Sequence, residues 1–142
     1  IEAGILNAGS DFDATTTPFD VGFERFVDKD KGDFIGKAAL EKAYRSPRLT
    51  GLKCPAAEPR IGGRVIVNGS PAGKVTAGAF SPYLKHGIGI ALMQAPGFST
   101  GDAVEIECID GQAYAGELHA LPFYDTQAEI PRGKRVDIPE RS

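Results

Sequence analysis

The chain has 142 residues, 42% of them hydrophobic and 25% charged, as in an ordinary globular protein with a core of its own. A net charge of −3 with no cluster of Lys and Arg disfavours a nucleic-acid partner. No apolar run approaches the ~20 residues that a membrane-spanning helix needs, so no membrane partner is expected.

The N-terminal third predicts a mixture of helix and strand. Residues 1–6 are predicted to end a helix. The stretch VGFERFVD at 21–28 alternates enough to predict a strand. Residues 37–45 predict the clearest helix of the chain, with Asp33 as a candidate N-cap.

The rest of the chain predicts short strands separated by turns. Asn68-Gly69 lies between two apolar runs and predicts a β-hairpin, because this pair accepts positive φ at both turn positions. A strand is predicted near 88–93, and Asp110-Gly111 predicts a second hairpin. About five to six strands joined in this way indicate a small antiparallel barrel.

These local patterns divide the chain into three predicted segments. Residues 1–46 form an α+β segment, residues 47–125 form the barrel, and residues 126–142 form an extended tail without periodicity. The predicted fold class is therefore mostly β, with an α+β N-terminal remnant and an antiparallel barrel of about five to six strands.

The two cysteines are predicted to be reduced core residues. Cys54 and Cys108 lie far apart in the sequence and match no CxxC pattern. Cys108 also shares one face of an alternating strand with Val104 and Ile106, while Glu105 points to the other face. In a cytosolic context, two such cysteines are more often reduced core residues than a bridge.

The sequence alone shows no arrangement for nucleophilic catalysis or metal binding. Ser81, Ser99 and Cys54 have no sequence neighbour that would activate them. His86 and His119 stand alone, without the spacing of metal ligands. No metal site and no catalytic residue are therefore predicted among these residues.

Glu2 has two interpretations. By spacing alone it is an exposed glutamate of a helix. Alternatively, its carboxylate faces a pocket and accepts two parallel hydrogen bonds from neighbouring N–H groups of a flat ligand. The small residues Ala3 and Gly4 beside it would leave room for such a ligand. The residue pattern leaves both interpretations open.

Several motifs resemble the glycine-cleavage T-protein (aminomethyltransferase) family. The stretch IEAGI…GSDFDATTTPFDVGFERFVDKDKGDFIGKAAL is similar to the family pattern R-x-E-x-G, a glycine loop with an aspartate, T-x-P-x-E-x-G and D-F-I-G-K. GKVTAGAFSPYLKHGIGIALM at 73–93 resembles the signature of the family's C-terminal barrel, and LPF at 121–123 resembles its end. The motifs keep the family's order over about residues 1–125, which makes the resemblance specific.

The resemblance implies a tetrahydrofolate-dependent one-carbon (aminomethyl or methyl) transferase of the glycine cleavage system, expected in the cytoplasm. Folate and a lipoyl carrier protein are the implied partners. Residues 1–46 would then be the C-terminal remnant of a folate-binding domain, and 47–125 the C-terminal barrel domain. The family aspartate that handles folate N5 would lie upstream. No catalytic residue is therefore expected within this chain, and the chain alone is expected to be inactive.

Two site residues follow from the same resemblance. Glu2 matches the family glutamate whose carboxylate binds the pterin ring. Lys31 falls where mitochondrial T-proteins carry an arginine that contacts the folate ligand. Lysine keeps the positive charge but lacks the planar fork of arginine, so the predicted contact is weaker.

Other functions related to the resemblance remain open. The chain could be the C-terminal domain of a folate-linked dimethylglycine or sarcosine oxidase or of a sulfonium demethylase. It could also be a non-catalytic folate-binding accessory module, a branch recognised by K-G-C-Y-x-G-Q-E. Residues 31–37 read KGDFIGK without the cysteine, which disfavours that branch. A third interpretation makes the barrel purely structural, as a wall of the folate cavity.

Overall fold

The structure is a computed structural model and describes residues 1–136. Its regular elements are a short 3-10 helix, an α-helix and six strands: Glu24–Phe26, α1 (Lys37–Lys42), β1 (Leu49–Cys54), β2 (Arg64–Val67), β3 (Ser70–Ser81), β4 (His86–Met93), β5 (Ala103–Glu107) and β6 (Ala113–His119). The strands form a closed antiparallel barrel in the order β1-β4-β3-β2-β5-β6. The predicted fold class is confirmed.

Both predicted hairpins are present, with different turns. Asn68 (φ 50°) and Gly69 (φ 74°) both have positive φ, as a two-residue type I′ turn between β2 and β3 requires. Between β5 and β6 only Gly111 (φ 82°) is left-handed, and the Cys108 N–H donates to the Gln112 carbonyl over 2.8 Å. This geometry is that of a three-residue loop closed by a glycine bulge.

The barrel interior holds the core, and the two cysteines lie within it. Its buried members are Leu52, Cys54, Val65, Val75, Ala91, Met93, Val104, Ile106, Cys108 and Leu118. The sulfurs of Cys54 and Cys108 are 3.6 Å apart, far beyond the ~2.05 Å of a disulfide. Burial and the neighbouring Cys54 raise the pKa of the Cys108 thiol to about 12. The prediction of reduced core cysteines is confirmed.

The N-terminal segment corrects three predictions. Residues 1–6 form a turn followed by irregular chain, not the end of a helix, and residues 21–28 contain a 3-10 helix instead of a strand. Each barrel strand pairs with its two neighbours in the closed order, and within residues 1–136 none of the six strands pairs with residues 21–28. Helix α1 ends at Lys42, and its N-cap is Gly36 rather than Asp33.

Two buried carboxylates attach this N-terminal segment to the barrel. Asp11 is 2% exposed and accepts a hydrogen bond of 2.5 Å from the Thr76 hydroxyl of β3. Asp20 accepts one of 2.7 Å from Nε of Arg48, and its backbone carbonyl accepts the Arg48 and Leu49 N–H groups at 2.9 Å each. The loops that carry these residues are therefore fixed against β3 and the start of β1.

The chain beyond the barrel forms consecutive turns up to residue 134, for example where the Gly133 N–H donates to the Ile130 carbonyl over 3.0 Å. The rest of the predicted tail, residues 137–142, lies outside the described residues, and the three-segment division stays a prediction. Over residues 1–136, no helix has the length and apolar character needed to cross a bilayer.

Candidate functional site

Glu2 is held against the barrel by the turn that contains it. The Gly4 N–H donates to the Ile1 carbonyl over 2.8 Å, and Gly4 has a left-handed φ of +66°. A Cβ on Gly4 would lie 3.3 Å from Cβ of Leu121, so the turn packs closely on the chain that follows β6. The Phe123 N–H also donates to the Glu2 carbonyl over 3.0 Å.

The Glu2 side chain is partly buried and both of its carboxylate oxygens are bonded. Oε1 accepts a hydrogen bond from the hydroxyl of Ser81, the last residue of β3. Oε2 accepts one from the phenol of Tyr124 over 3.2 Å. The carboxylate therefore lines a cavity and faces the barrel, while the ligand contact of the second interpretation stays a prediction.

This cavity has a volume of about 390 Å³, within the ~300–1,000 Å³ typical of small-molecule sites. Its lining combines a carboxylate, two hydroxyl groups and several rings: Ile1, Glu2, Ala3, Ala79, Phe80, Ser81, Pro82, Tyr83, Ile88 and Tyr124. Ala3, Tyr83 and Tyr124 also line a larger neighbouring cavity of about 820 Å³. The two tyrosine rings meet edge to face, with centroids 6.3 Å apart, at the boundary of the two cavities.

The local electrostatics keep Tyr124 a hydrogen-bond donor. Burial raises the pKa of the Tyr124 phenol, and the negative charge of Glu2 and the hydrogen bond to it raise this pKa further. An ionised carboxylate offers about four acceptor positions. Ser81 and Tyr124 occupy two of them, which leaves about two on Glu2 for the donors of a ligand.

Lys31 does not line the Glu2 cavity. Its side chain is exposed and lines a separate cavity of about 290 Å³ that also includes Phe34 and Leu40. No residue lines both this cavity and the Glu2 cavity. The Lys31 backbone is fixed by its N–H, which donates to Oδ1 of Asp28 over 3.1 Å, and by its carbonyl, which accepts Nζ of Lys37 over 2.9 Å. The structure therefore does not bring the two predicted site residues together.

Sequence reasoning missed Ser81 and Tyr124 as partners of Glu2. Ser81 belongs to the stretch that resembles the barrel signature, but 79 positions separate it from Glu2 and 122 positions separate Tyr124 from Glu2. No periodicity relates such distant residues. Residues 1–136 contain no group of three or more His, Cys, Asp or Glu side chains suited to holding a metal ion.

Comparison with known proteins agrees with the fold. Residues 48–125 match the family model described as the glycine cleavage T-protein C-terminal barrel domain. A crystal structure of the glycine cleavage system aminomethyltransferase T from Bartonella henselae superposes with a TM-score of 0.75 at 30% identity, covering 87% of this chain and 36% of that one.

Curated relatives give the same assignment. The aminomethyltransferase of Thermosipho melanesiensis is 39% identical over 128 residues, which cover 87% of this chain and 34% of the relative. That of Saccharopolyspora erythraea is 40% identical over 134 residues, covering 90% and 36%. The chain thus spans about a third of the length of the relatives that it matches. Its barrel and these similarities show that the chain belongs to the glycine cleavage T-protein family and carries the C-terminal barrel domain of that family.

Proposed function

We propose that the natural full-length protein is a cytoplasmic, tetrahydrofolate-dependent aminomethyltransferase, and that this chain supplies part of its folate site. The observation that carries the proposal is the Glu2 carboxylate, which lines a cavity of ligand size at the end of β3. Family membership and relatives that are themselves aminomethyltransferases support the reaction class.

The Glu2 cavity suits the chemistry of a pterin ring. The pyrimidine edge of a pterin presents an N–H and an amino group side by side, and a carboxylate with free acceptor positions can bind both. Phe80, Tyr83 and Tyr124 line the same cavity and provide aromatic surface for a flat heterocycle. The remaining acceptor capacity of Glu2 and this ring surface therefore fit the proposed ligand.

Lys31 is proposed as a second, weaker folate contact. Its ammonium group would attract the negatively charged carboxylates of folate, which lie far from the pterin ring. Because Lys31 is exposed and lines a different cavity, water screens this attraction. We therefore expect Lys31→Gln to weaken folate binding less than Glu2→Gln does.

The proposed partner is a lipoyl carrier protein that presents the aminomethyl group. In the family reaction, N5 and N10 of tetrahydrofolate each form a bond to that carbon, and its bonds to the amino nitrogen and to the lipoyl sulfur break. The two protons of N5 and N10 go to the leaving groups, so that ammonia, the dihydrolipoyl arm and methylenetetrahydrofolate are released. The proposed contribution of this chain is orientation: Glu2 fixes the pterin ring, and the barrel wall excludes water from one side of it. Holding two reactants in place lowers the barrier by removing their translational and rotational freedom.

Glu2→Gln in the natural full-length protein tests this function. The substitution replaces one acceptor oxygen by a donor amide, and we expect tetrahydrofolate to bind about ten- to a hundredfold more weakly in calorimetry. Glu105→Gln makes the same chemical change on the exposed face of β5 and should leave affinity unchanged.

Activity is measured in parallel as tetrahydrofolate-dependent ammonia release from an aminomethylated lipoyl carrier protein. The wild-type protein should release ammonia, and Glu2→Gln should raise the KM for tetrahydrofolate. No release by the wild-type protein, or equal folate affinity in Glu2→Gln and wild type, would overturn the proposed function.

A further inference from the structure

The Ser81 hydroxyl lies at a fixed point in the wall of the Glu2 cavity. Ser81 is 1% exposed, it ends β3, and it pairs with His86 of β4. Its carbonyl accepts the Lys85 N–H over 2.9 Å, which closes the turn between the two strands. The backbone at Ser81 is therefore held by a strand pair and by its own turn.

The hydrogen bonds of Ser81 direct its single proton to Glu2. Its Oγ accepts the Leu84 N–H over 3.0 Å. An N–H group can only donate, so this contact uses a lone pair of the hydroxyl and leaves the proton free. That proton is donated to Oε1 of Glu2.

The Glu2 carboxylate is thus fixed at both oxygens. Ser81 holds Oε1 and Tyr124 holds Oε2, so rotation of the carboxylate would break two hydrogen bonds. Groups held in place before the ligand arrives lose little freedom on binding, which strengthens the complex.

We propose that Ser81 is a positioning residue, whose hydroxyl holds the Glu2 carboxylate in the orientation that binds the pterin of tetrahydrofolate. This inference rests on the proposed function of Glu2 and goes beyond it. Ser81 does not contact the ligand itself but acts through Glu2. Its contribution should therefore vanish when Glu2 can no longer bind the pterin.

A double-mutant cycle in the natural full-length protein tests this dependence. Tetrahydrofolate affinity is measured by calorimetry for wild type, Ser81→Ala, Glu2→Gln and the double variant. We expect Ser81→Ala to weaken binding about tenfold, the size of one hydrogen bond to a charged group, and to add no further loss in the Glu2→Gln background. Ser81→Thr keeps the hydroxyl and should recover most of the affinity.

Two controls separate positioning from folding. Ser99→Ala makes the same chemical change at an exposed serine and should leave affinity unchanged. Thermal unfolding of each variant identifies any that fails to fold, and Ser81→Cys, of nearly the same size but a weak donor, should weaken binding while it stays folded.

The outcomes distinguish the two proposals. If wild type binds and Glu2→Gln weakens binding but Ser81→Ala does not, the role of Ser81 is overturned and the proposed function stands. An equal loss of affinity from Ser81→Ala in the wild-type and in the Glu2→Gln background also overturns the role of Ser81, because a general structural role would act in both backgrounds. If wild type does not bind tetrahydrofolate, the proposed function fails and this inference fails with it.

Discussion

At the residue scale, Asp20 shows how one carboxylate joins the N-terminal segment to the barrel. It is 8% exposed, and its Oδ1 pairs with Nε of Arg48 while its Oδ2 accepts the N–H and hydroxyl of Thr17. Burial raises the pKa of Asp20, but the hydrogen bonds from Arg48 and Thr17 outweigh it, and the net pKa lies below the ordinary value.

The lowered pKa of Asp20 makes its contribution to folding stability depend on pH. A carboxyl whose pKa is lowered by folding stabilises the folded state above its unfolded pKa of ~3.9, and this stabilisation disappears as the pH falls through the folded pKa. We expect Asp20→Asn to lower the free energy of unfolding by about 1–3 kcal/mol at pH 7 and by much less near pH 2.

Urea unfolding of wild type and Asp20→Asn at several pH values measures this difference. Asp30→Asn is the matched control, since Asp30 is exposed, and it should have little effect at any pH. A destabilisation by Asp20→Asn that is equal at pH 7 and at pH 2 would contradict the assigned role.

The sequence could predict few of these contacts between individual side chains. The residue pattern left Glu2 with two interpretations, and only the resemblance matched it to a pterin-binding glutamate. Its partners Ser81 and Tyr124, and the pair of Asp20 with Arg48, join positions far apart in the chain. Such contacts depend on the closure of the barrel, which local patterns do not describe.

At the element scale, the segment between β1 and β2 packs its backbone closely against strands β3 and β4. An added Cβ on Gly78 of β3 would lie 1.9 Å from the Pro59 carbonyl oxygen, and one on Gly87 of β4 would lie 1.9 Å from that of Ala57. Only glycine allows the backbones to approach so closely. These glycines therefore set how the segment covers β3 and β4.

Gly78→Ala should accordingly destabilise the barrel. The clash is with backbone, which cannot move aside easily, and we expect a loss of about 2–3 kcal/mol in the free energy of unfolding. Gly32→Ala is the control, because a Cβ there meets nothing within 4 Å, and it should be neutral or slightly stabilising. Equal unfolding midpoints for the two variants would refute the steric argument.

Elements were predicted correctly where the conformational preferences of neighbouring residues determine them. The turn at Asn68-Gly69 was predicted because its dihedral angles are a property of those two residues. The strand predicted at 21–28 was wrong, because Glu24–Phe26 form a short 3-10 helix instead. The rings of Phe23 and Phe26 pack edge to face with centroids 5.6 Å apart, and both side chains stay exposed rather than joining the barrel core. The requirement for glycine at Gly78 was not predictable, since its cause is a distant segment.

At the scale of the whole molecule, the chain spans 34–36% of the length of its relatives. The proposed site draws its walls from the N-terminal turn, the end of β3 and the chain after β6. The barrel fold was predicted from spaced turns and alternating strands. The convergence of these three segments at one cavity was not predicted, because it results from closure of the barrel.

The isolated 142-residue chain should show no aminomethyltransferase activity. The residues around N5 of the folate are expected from other parts of the family's longer proteins, and the proposed contact of Glu2 with the pterin would not complete the site. Ammonia release is measured for the chain and for the natural full-length protein under the same conditions. Turnover by the chain alone at a comparable rate would contradict this division of roles.

The most direct measurement of the central claim is a crystal structure of the natural full-length protein with tetrahydrofolate. We predict that the pterin occupies the cavity at the end of β3, with two of its nitrogen donors about 2.7–3.2 Å from the Glu2 carboxylate. A pterin bound elsewhere, with the Glu2 carboxylate still bonded only to Ser81 and Tyr124, would contradict it.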